Sequence, residues 1–205
     1  MQPSEKVKKV LDTLDKKVNR NFSLSGSVCV HCGMCTQSCH YYVATNDPKM
    51  SPTYKTDKVR KLYKYRHDWL SRIVPRWTGA ETLHSEEDLD ELMDVVFGSC
   101  TMCRRCTINC PMGVDTALMM RNARAALCEI DKMPEGVRTV CKDQYETGNQ
   151  MAVSHQEYIE TLEWLTEEHA NDVGDPKASI PLDKKGANVL YVINPREVKY
   201  APLTL

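Results

Sequence analysis

The chain has 205 residues, of which 41% are apolar and 27% are charged, with a net charge of −1 at neutral pH. This composition predicts one or two small globular domains rather than a disordered chain, and the balanced charge gives no general attraction to nucleic acid or to an anionic membrane. No apolar stretch approaches the roughly 20 residues of a membrane-spanning helix, and residues 1–20 lack the apolar core of a secretion signal. We therefore expect a cytoplasmic protein.

The first half of the chain is predicted to be helical on both sides of a cysteine-rich loop. Apolar residues at helical spacing indicate an amphipathic helix over residues 4–18, and residues 21–28 indicate a loop before the first cysteines. A second helix is expected over about 56–73, where Pro75 ends it. Its inner side is expected to carry Val59, Leu62, Tyr63, Trp69, Leu70 and Ile73.

Capping residues predict four further helices. Ser85 and the acidic turn after it begin a helix that leads into a second group of cysteines at 100–110. Asp115 can cap a helix to about residue 130, and Pro134 can begin another that ends near Gly148. Ser154 forms a capping box with the glutamate three residues on, at the start of a helix to about residue 170.

The C-terminal segment differs in character. Residues 171–186 indicate a linker, and the sequence NVLYVI at 188–193 is the short, β-branched run of a buried strand. Because one strand cannot form a sheet, we expect it to begin an α/β domain that is truncated or is completed by a partner. The predicted organisation is an N-terminal amphipathic helix at 1–24, a helical domain at 25–173, and the linker with the start of a C-terminal domain at 174–205.

Eight of the ten cysteines form two copies of the motif C-x2-C-x2-C-x3-C. The copies contain Cys29, Cys32, Cys35 and Cys39 in the first, and Cys100, Cys103, Cys106 and Cys110 in the second. Pro111 completes the bacterial ferredoxin pattern in the second copy. Clustered cysteines in a chain without an export signal indicate metal or redox chemistry rather than disulfides. The repeated motif predicts two iron–sulfur clusters, both of the [4Fe–4S] type.

The spacing also predicts how the two clusters share their ligands. Two-residue gaps let a loop wrap around a cubane, whereas the fourth cysteine points away and, in two-cluster ferredoxins, binds the other cluster. We therefore assign one cluster to Cys29, Cys32, Cys35 and Cys110, and the other to Cys39, Cys100, Cys103 and Cys106. Since the sixty residues between the motifs look helical, we predict a mainly α fold, an α-helical ferredoxin domain.

Alternative roles remain open for the motif cysteines, the nearby histidines and the two cysteines outside the motifs. Two structural zinc sites are the alternative for eight thiolates, although such sites usually pair two C-x2-C knuckles. His31 and His40 are expected beside the first cluster rather than on it, since four cysteines are already present. Cys128 and Cys141 lie on predicted helices outside both motifs and are expected to be buried, inert thiols.

The motifs and the sequences that follow them resemble one protein family. CVHCGMCTQSCHYYVATNDPKMSP, GSCTMCRRCTINCPMGVDTALMMRNAR, TGNQ and KKGANVLYVINPRE are similar to the catalytic subunit of heterodisulfide reductase and its bacterial relatives, including the iron–sulfur subunit of the sulfite-reduction-associated membrane complex. The resemblance covers roughly residues 25–200. It implies two [4Fe–4S] clusters that pass electrons within a redox complex, whose other subunits include flavin-containing or membrane cytochrome subunits.

The same resemblance limits what we assign to this chain. In that family a cysteine-rich domain follows and holds an active-site cluster for disulfide chemistry, and its cysteines are not in this sequence. We therefore expect an electron-transfer subunit without catalytic residues in this stretch, associated with a membrane only through a partner. The alternative is the N-terminal portion of a catalytic disulfide-reducing enzyme. Neither a phosphate-binding glycine loop nor a GxGxxG motif is present, so any flavin would be bound by a partner.

Overall fold

The computed structural model describes residues 2–204, and over that range the fold is mainly helical, as predicted. The α-helices of this range are α1 Pro3–Lys16, α2 Arg20–Val28, α3 His40–Thr45, α4 Pro52–His67, α5 Trp69–Ile73, α6 Pro75–Thr78, α7 Glu86–Met93, α8 Arg105–Ile108, α9 Thr116–Cys128, α10 Glu135–Thr147, α11 His155–Val173 and α12 Pro195–Tyr200. Short 3-10 turns lie at Thr36–Ser38, Pro48–Met50 and Pro202–Thr204, and a π-turn lies at Asp94–Gly98.

The chain divides into two compact units, one up to Met133 and one from Pro134 onward. The domain bounds predicted from the sequence, after residues 24 and 173, stay a prediction. No helix within residues 2–204 is both long enough and apolar enough to cross a bilayer.

The first unit is built around α9, which packs against α1, α4 and α7. Met119, Met120 and Leu127 of α9 are fully buried, and Val10 of α1 and Leu89 of α7 pack into the same core. Each such side chain stabilises the fold by about 1.5–3 kcal/mol relative to its exposed state. This core holds in place the two loops that carry the cysteines.

The second unit is built from α10, α11 and α12. Leu162 and Leu165 of α11 are buried, as is Val198 of α12. The Lys199 ammonium donates a 2.8 Å hydrogen bond to the Met151 carbonyl, which fastens α12 to the loop before α11. The eight motif cysteines all lie in the first unit.

The capping residues predicted from the sequence begin and end the helices as expected. Ser85 caps α7 in a complete capping box, and Asp115 and Ser154 each accept a 3.0 Å hydrogen bond from the amide three residues on. Gly148 ends α10 with a φ of +81°, a conformation that glycine adopts without steric cost. The predictions at Ser85, Asp115 and Gly148 are confirmed. Ser154 caps α11 as predicted, but Glu157 does not return the bond to the Ser154 amide that a capping box requires.

Residues 21–28, predicted as a loop, form most of α2, so that prediction is wrong. Asn19 caps this helix through a 2.9 Å hydrogen bond from the amide of Phe22. The Phe22 ring is fully buried and meets Tyr63 edge-on, with 5.6 Å between centroids. The serines and glycine of this segment are weak helix formers, and burial of Phe22 overrides their preference.

The single helix predicted over about 56–73 is broken at Asp68. The Asp68 carboxylate accepts a 3.1 Å hydrogen bond from the amide two residues on and so starts α5 as a new helix. Val59 and Leu62 are buried as predicted. Trp69 and Ile73 are 72% and 68% exposed, because the break turns them away from the stripe that α4 buries.

The strand predicted at 188–193 is not formed in the structure. This segment has no regular secondary structure, and Val189, Leu190, Tyr191 and Val192 are each at least 68% exposed. A strand needs a neighbour for its backbone hydrogen bonds, and the part of the chain described here contains none. The expected burial of this run is therefore absent as well.

Candidate iron–sulfur site

The eight motif cysteines line two recesses in the first unit. The first recess, of about 420 Å³, is lined by Cys29, Cys32, Cys35, Cys106 and Cys110. The second, of about 370 Å³, is lined by Cys39, Cys100, Cys103 and Cys106. The last cysteine of each motif thus lines the recess formed by the other motif's loop. The crossed ligand assignment made from the sequence stays a prediction.

The two recesses share a wall. Cys106 and Thr116 line both of them, and Thr56 lines the first. The hydroxyl oxygens of Thr56 and Thr116 are buried and lie 3.0 Å apart, in hydrogen-bond contact. This pair joins α4 to the start of α9. Groups bound in the two recesses would therefore be close neighbours with rigid helices beside them.

The two cysteine loops share a left-handed backbone conformation at two corresponding positions. The residue before the second cysteine is left-handed in both, with a φ of +55° at His31 and +56° at Met102. The residue after the second cysteine is also left-handed, with a φ of +76° at Gly33 and +62° at Arg104. Only glycine adopts this region without steric cost, so three of the four positions are strained. These strained positions are where each cysteine loop bends around its recess.

Backbone amides contact the thiols from within the loops. The amide of Met102 donates to Cys100 Sγ and the amide of Val114 donates to Cys110 Sγ, each at 3.4 Å. Such hydrogen bonds help to set the potential of a bound cluster.

Burial raises the pKa of the thiol at two positions. Desolvation raises the pKa of the Cys35 thiol, although a 3.5 Å contact with the Thr53 hydroxyl partly offsets it. Desolvation likewise raises the pKa of the Cys106 thiol, with a smaller opposing effect from Thr116. Iron binds the thiolate, so cluster assembly has to release these protons.

Two cations that were not predicted from the sequence support the second recess. Lys55 is buried, lines the recess and donates to the carbonyl oxygen of Ser99. Arg124 donates from Nε to the Val96 carbonyl at 2.7 Å and from Nη2 to the Cys100 carbonyl, and these bonds hold the start of the second loop in place. A signal for Lys55 was present: Lys55, Val59 and Leu62 are spaced i, i+4, i+7 on one helical stripe.

His31 lines the first recess, as expected, whereas His40 lines the second recess instead of the first. The Nε2 atom of His31 lies 2.6 Å from Asp57 Oδ1 and 3.0 Å from a guanidinium nitrogen of Arg60. The His40 ring packs on Tyr41, with 4.7 Å between centroids. Their expected role beside a cluster stays a prediction.

Cys128 and Cys141 lie outside both recesses. Cys128 is half-buried at the end of α9. Cys141 is exposed on α10, so the expectation of a buried thiol is wrong there. None of the residues of α10 is buried.

The donor set fits two [4Fe–4S] clusters. The second recess offers four thiols and the first offers five, of which Cys106 is shared with the second. Four thiolates are the ligand set of such a cluster, and backbone amides point at two of the sulfur atoms. Within residues 2–204 no three Cys, His, Asp or Glu side chains come close enough to hold a single metal ion. The thiols stand around the walls of each recess instead of meeting at one point.

Comparisons with known proteins agree with this chemistry. Residues 25–114 match the family of the 4Fe-4S dicluster domain. The Hdr-like menaquinol oxidoreductase iron-sulfur subunit 2 of Archaeoglobus fulgidus is 32% identical over 181 residues, and the corresponding iron-sulfur subunit of Archaeoglobus profundus is 30% identical over 181 residues. Each alignment covers 88% of this chain and 32% of the relative. No solved structure matches the chain.

These matches confirm two predictions made from the sequence. The dicluster domain supports two [4Fe–4S] clusters as the cofactors. The chain spans about a third of the length of the curated relatives it matches, while those relatives match most of the chain. The resemblance inferred from the cysteine motifs is therefore confirmed: the chain is similar to the iron–sulfur subunits of Hdr-like menaquinol oxidoreductases.

Proposed function

We propose that this chain is an electron-transfer iron–sulfur subunit of a heterodisulfide-reductase-like complex. The observation that carries the proposal is the pair of cysteine-lined recesses that share Cys106 and Thr116 as a common wall. When bound, the two clusters supply reversible one-electron chemistry. The helices around the wall hold the two sets of thiolates at a fixed, short separation, so an electron has a direct route from one recess to the other.

We propose the crossed ligand set for this site. Cys29, Cys32, Cys35 and Cys110 hold one cluster, and Cys39, Cys100, Cys103 and Cys106 hold the other. The lining of the recesses supports this assignment, because Cys110 lies with the first loop and Cys39 with the second. The exchange also ties the two loops to each other through their cofactors.

Anaerobic purification with iron and sulfide analysis tests the proposal. Two [4Fe–4S] clusters give about eight iron and eight sulfide atoms per chain. Electron paramagnetic resonance of the fully reduced protein is expected to show two interacting spins, because the recesses adjoin. Zinc in place of iron, or two reduced clusters without magnetic interaction, would contradict the proposal.

We propose that the partners are other redox subunits, one of which connects the chain to a quinone. The relatives are named as subunits of a menaquinol oxidoreductase, which supports a quinone-linked partner such as a membrane cytochrome subunit and membrane association through it. A reduced menaquinone analogue is expected to reduce the clusters in the native complex and not in the isolated chain. Reduction of the isolated chain at the same rate would count against such a partner.

The second candidate function is the N-terminal portion of a catalytic disulfide-reducing enzyme. The exposed apolar run at 189–192 favours it, since this segment has the composition of a strand of an α/β domain. In this proposal residues 188–193 pair with a strand outside the part of the chain described here. Backbone amides of 188–193 that exchange slowly with solvent in the native assembly, and disulfide reduction by the same polypeptide, would support it. Rapid exchange in the native assembly would rule it out.

A further inference from the structure

Lys55 is a buried lysine at the second recess. It lies on α4 and is only 2% exposed. Its ammonium donates to the Ser99 carbonyl, lies 3.5 Å from Cys39 Sγ, and stands over the Tyr41 ring at 5.2 Å from the centroid. The positive charge of Lys55 therefore lies beside Cys39, a predicted cluster ligand.

Among the described residues, no carboxylate neutralises the charge of Lys55. Two other lysines of α4 form ordinary surface ion pairs at 2.8 Å, Lys58 with Glu91 and Lys61 with Glu81. Within residues 2–204, Lys55 has no carboxylate within ion-pair distance. An ammonium ion that is removed from water without an anion costs several kcal/mol. The folded protein is therefore more stable with an anionic group beside the Lys55 ammonium.

The second recess provides that anionic group when it holds its cofactor. Four thiolates around an iron–sulfur core carry net negative charge, and reduction adds one more electron. Arg104 and Arg105 also line this recess, although Arg104 pairs with Asp115 at 3.2 Å. Among the residues that line the first recess in the described part of the chain, there is no lysine or arginine. The two recesses therefore differ in their electrostatic environment.

We propose that Lys55 is the buried counter-cation of the second recess. Its charge offsets the negative charge there and stabilises the reduced cluster more than the oxidised one. The cluster held by Cys39, Cys100, Cys103 and Cys106 is consequently the more easily reduced of the two. This inference rests on the proposed function, and it assigns Lys55 a tuning role rather than a ligand role.

The test is a redox titration of the full chain with both clusters bound, followed by electron paramagnetic resonance. The variant Lys55→Met removes the charge and keeps a long, unbranched side chain. We expect the equilibrium constant of the first, higher-potential reduction step to fall about tenfold, which is about 59 mV for a one-electron couple. The second step is expected to move by much less, because the first recess is more distant from Lys55.

Two further variants separate charge from packing. Lys55→Arg retains the cation and is expected to keep the potential of the parent protein to within about threefold. Lys58→Met makes the same chemical change one turn along α4, at a surface ion pair, and is expected to shift neither step. Iron and sulfide are counted in every variant before titration.

Each possible outcome either supports or contradicts the role of Lys55 as a counter-cation. A fall confined to the first step in Lys55→Met, or loss of one cluster in Lys55→Met but not in Lys55→Arg, supports the counter-cation. Two loaded clusters with unchanged potentials in Lys55→Met, or equal damage by Met and Arg, overturn it and leave the electron-transfer proposal standing. A parent protein without [4Fe–4S] clusters would instead overturn the proposed function itself.

Discussion

Replacement of Phe22 by alanine tests how the first unit holds the cysteine loops. The Phe22 side chain is fully buried on α2 and meets Tyr63 edge-on. Truncation of a buried phenylalanine to alanine costs about 3–5 kcal/mol, which includes the cavity that is left and the lost ring contact. Because α2 runs directly into Cys29, and Ser25 of this helix accepts a 3.1 Å hydrogen bond from the amide of Asp115, the loss is also expected to loosen the first recess.

Urea unfolding of the iron-free, thiol-reduced full chain, followed by circular dichroism, measures the change in free energy. Leu24→Ala on the same helix is the matched control, since Leu24 is 50% exposed and its loss is expected to cost no more than about 1 kcal/mol. Iron content after reconstitution provides a second measurement and is expected to fall in Phe22→Ala only. A loss below about 1 kcal/mol, or one equal to that of the control, would refute the role given to this core contact.

Three further predictions concern the helix start, the loops and pH. Asp115→Ala is expected to lower the urea unfolding free energy by about 1 kcal/mol, because it removes the cap of α9, whereas Asp115→Asn keeps most of it; equal losses would contradict the capping role. Gly33→Ala is expected to cost about 1–2 kcal/mol because its φ is +76°, whereas Gly136→Ala inside α10 is expected to stabilise the chain by about 0.5–1 kcal/mol; equal and like-signed effects in the same urea assay would be inconsistent with the loop geometry. Burial raises the pKa of the Cys35 and Cys106 thiols, so the folded iron-free chain holds these protons more tightly than the unfolded chain. Their contribution to stability is full below the ordinary thiol pKa and is lost as the pH rises through the raised values, so the Tm of the iron-free chain is expected to fall between about pH 8 and about pH 10, and a rise would contradict it.

The cysteine spacing and the helix caps were the most predictable features. Both are local in sequence: the gaps in C-x2-C-x2-C-x3-C bring the first three thiols around one recess, and Asp115 or Ser85 reaches an amide only three residues away. Local chemistry of this kind needs no knowledge of the rest of the fold. It therefore predicted the helical class, the cofactor type and the residues that line the recesses.

The features that were missed depend on contacts between distant residues. The α2 helix owes its stability to the burial of Phe22 against Tyr63, forty-one residues away, rather than to helix propensity. Lys55 lies on the buried stripe of α4, but only the folded chain brings its ammonium to Cys39 and Ser99. The run at 188–193 has strand propensity but lacks a partner in the described residues.

The most direct test of the central claim is to determine which cysteines lose their protection when Cys39 is replaced by alanine. Anaerobic alkylation of the cluster-loaded protein, read by mass spectrometry, reports each thiol separately, and Cys141→Ala at an exposed site outside the recesses is the control. If the motifs exchange their last ligand, Cys39→Ala exposes Cys100, Cys103 and Cys106 to the reagent and leaves Cys29, Cys32 and Cys35 protected. Alkylation of Cys29, Cys32 and Cys35 with the second loop still protected would contradict the crossed pair of clusters.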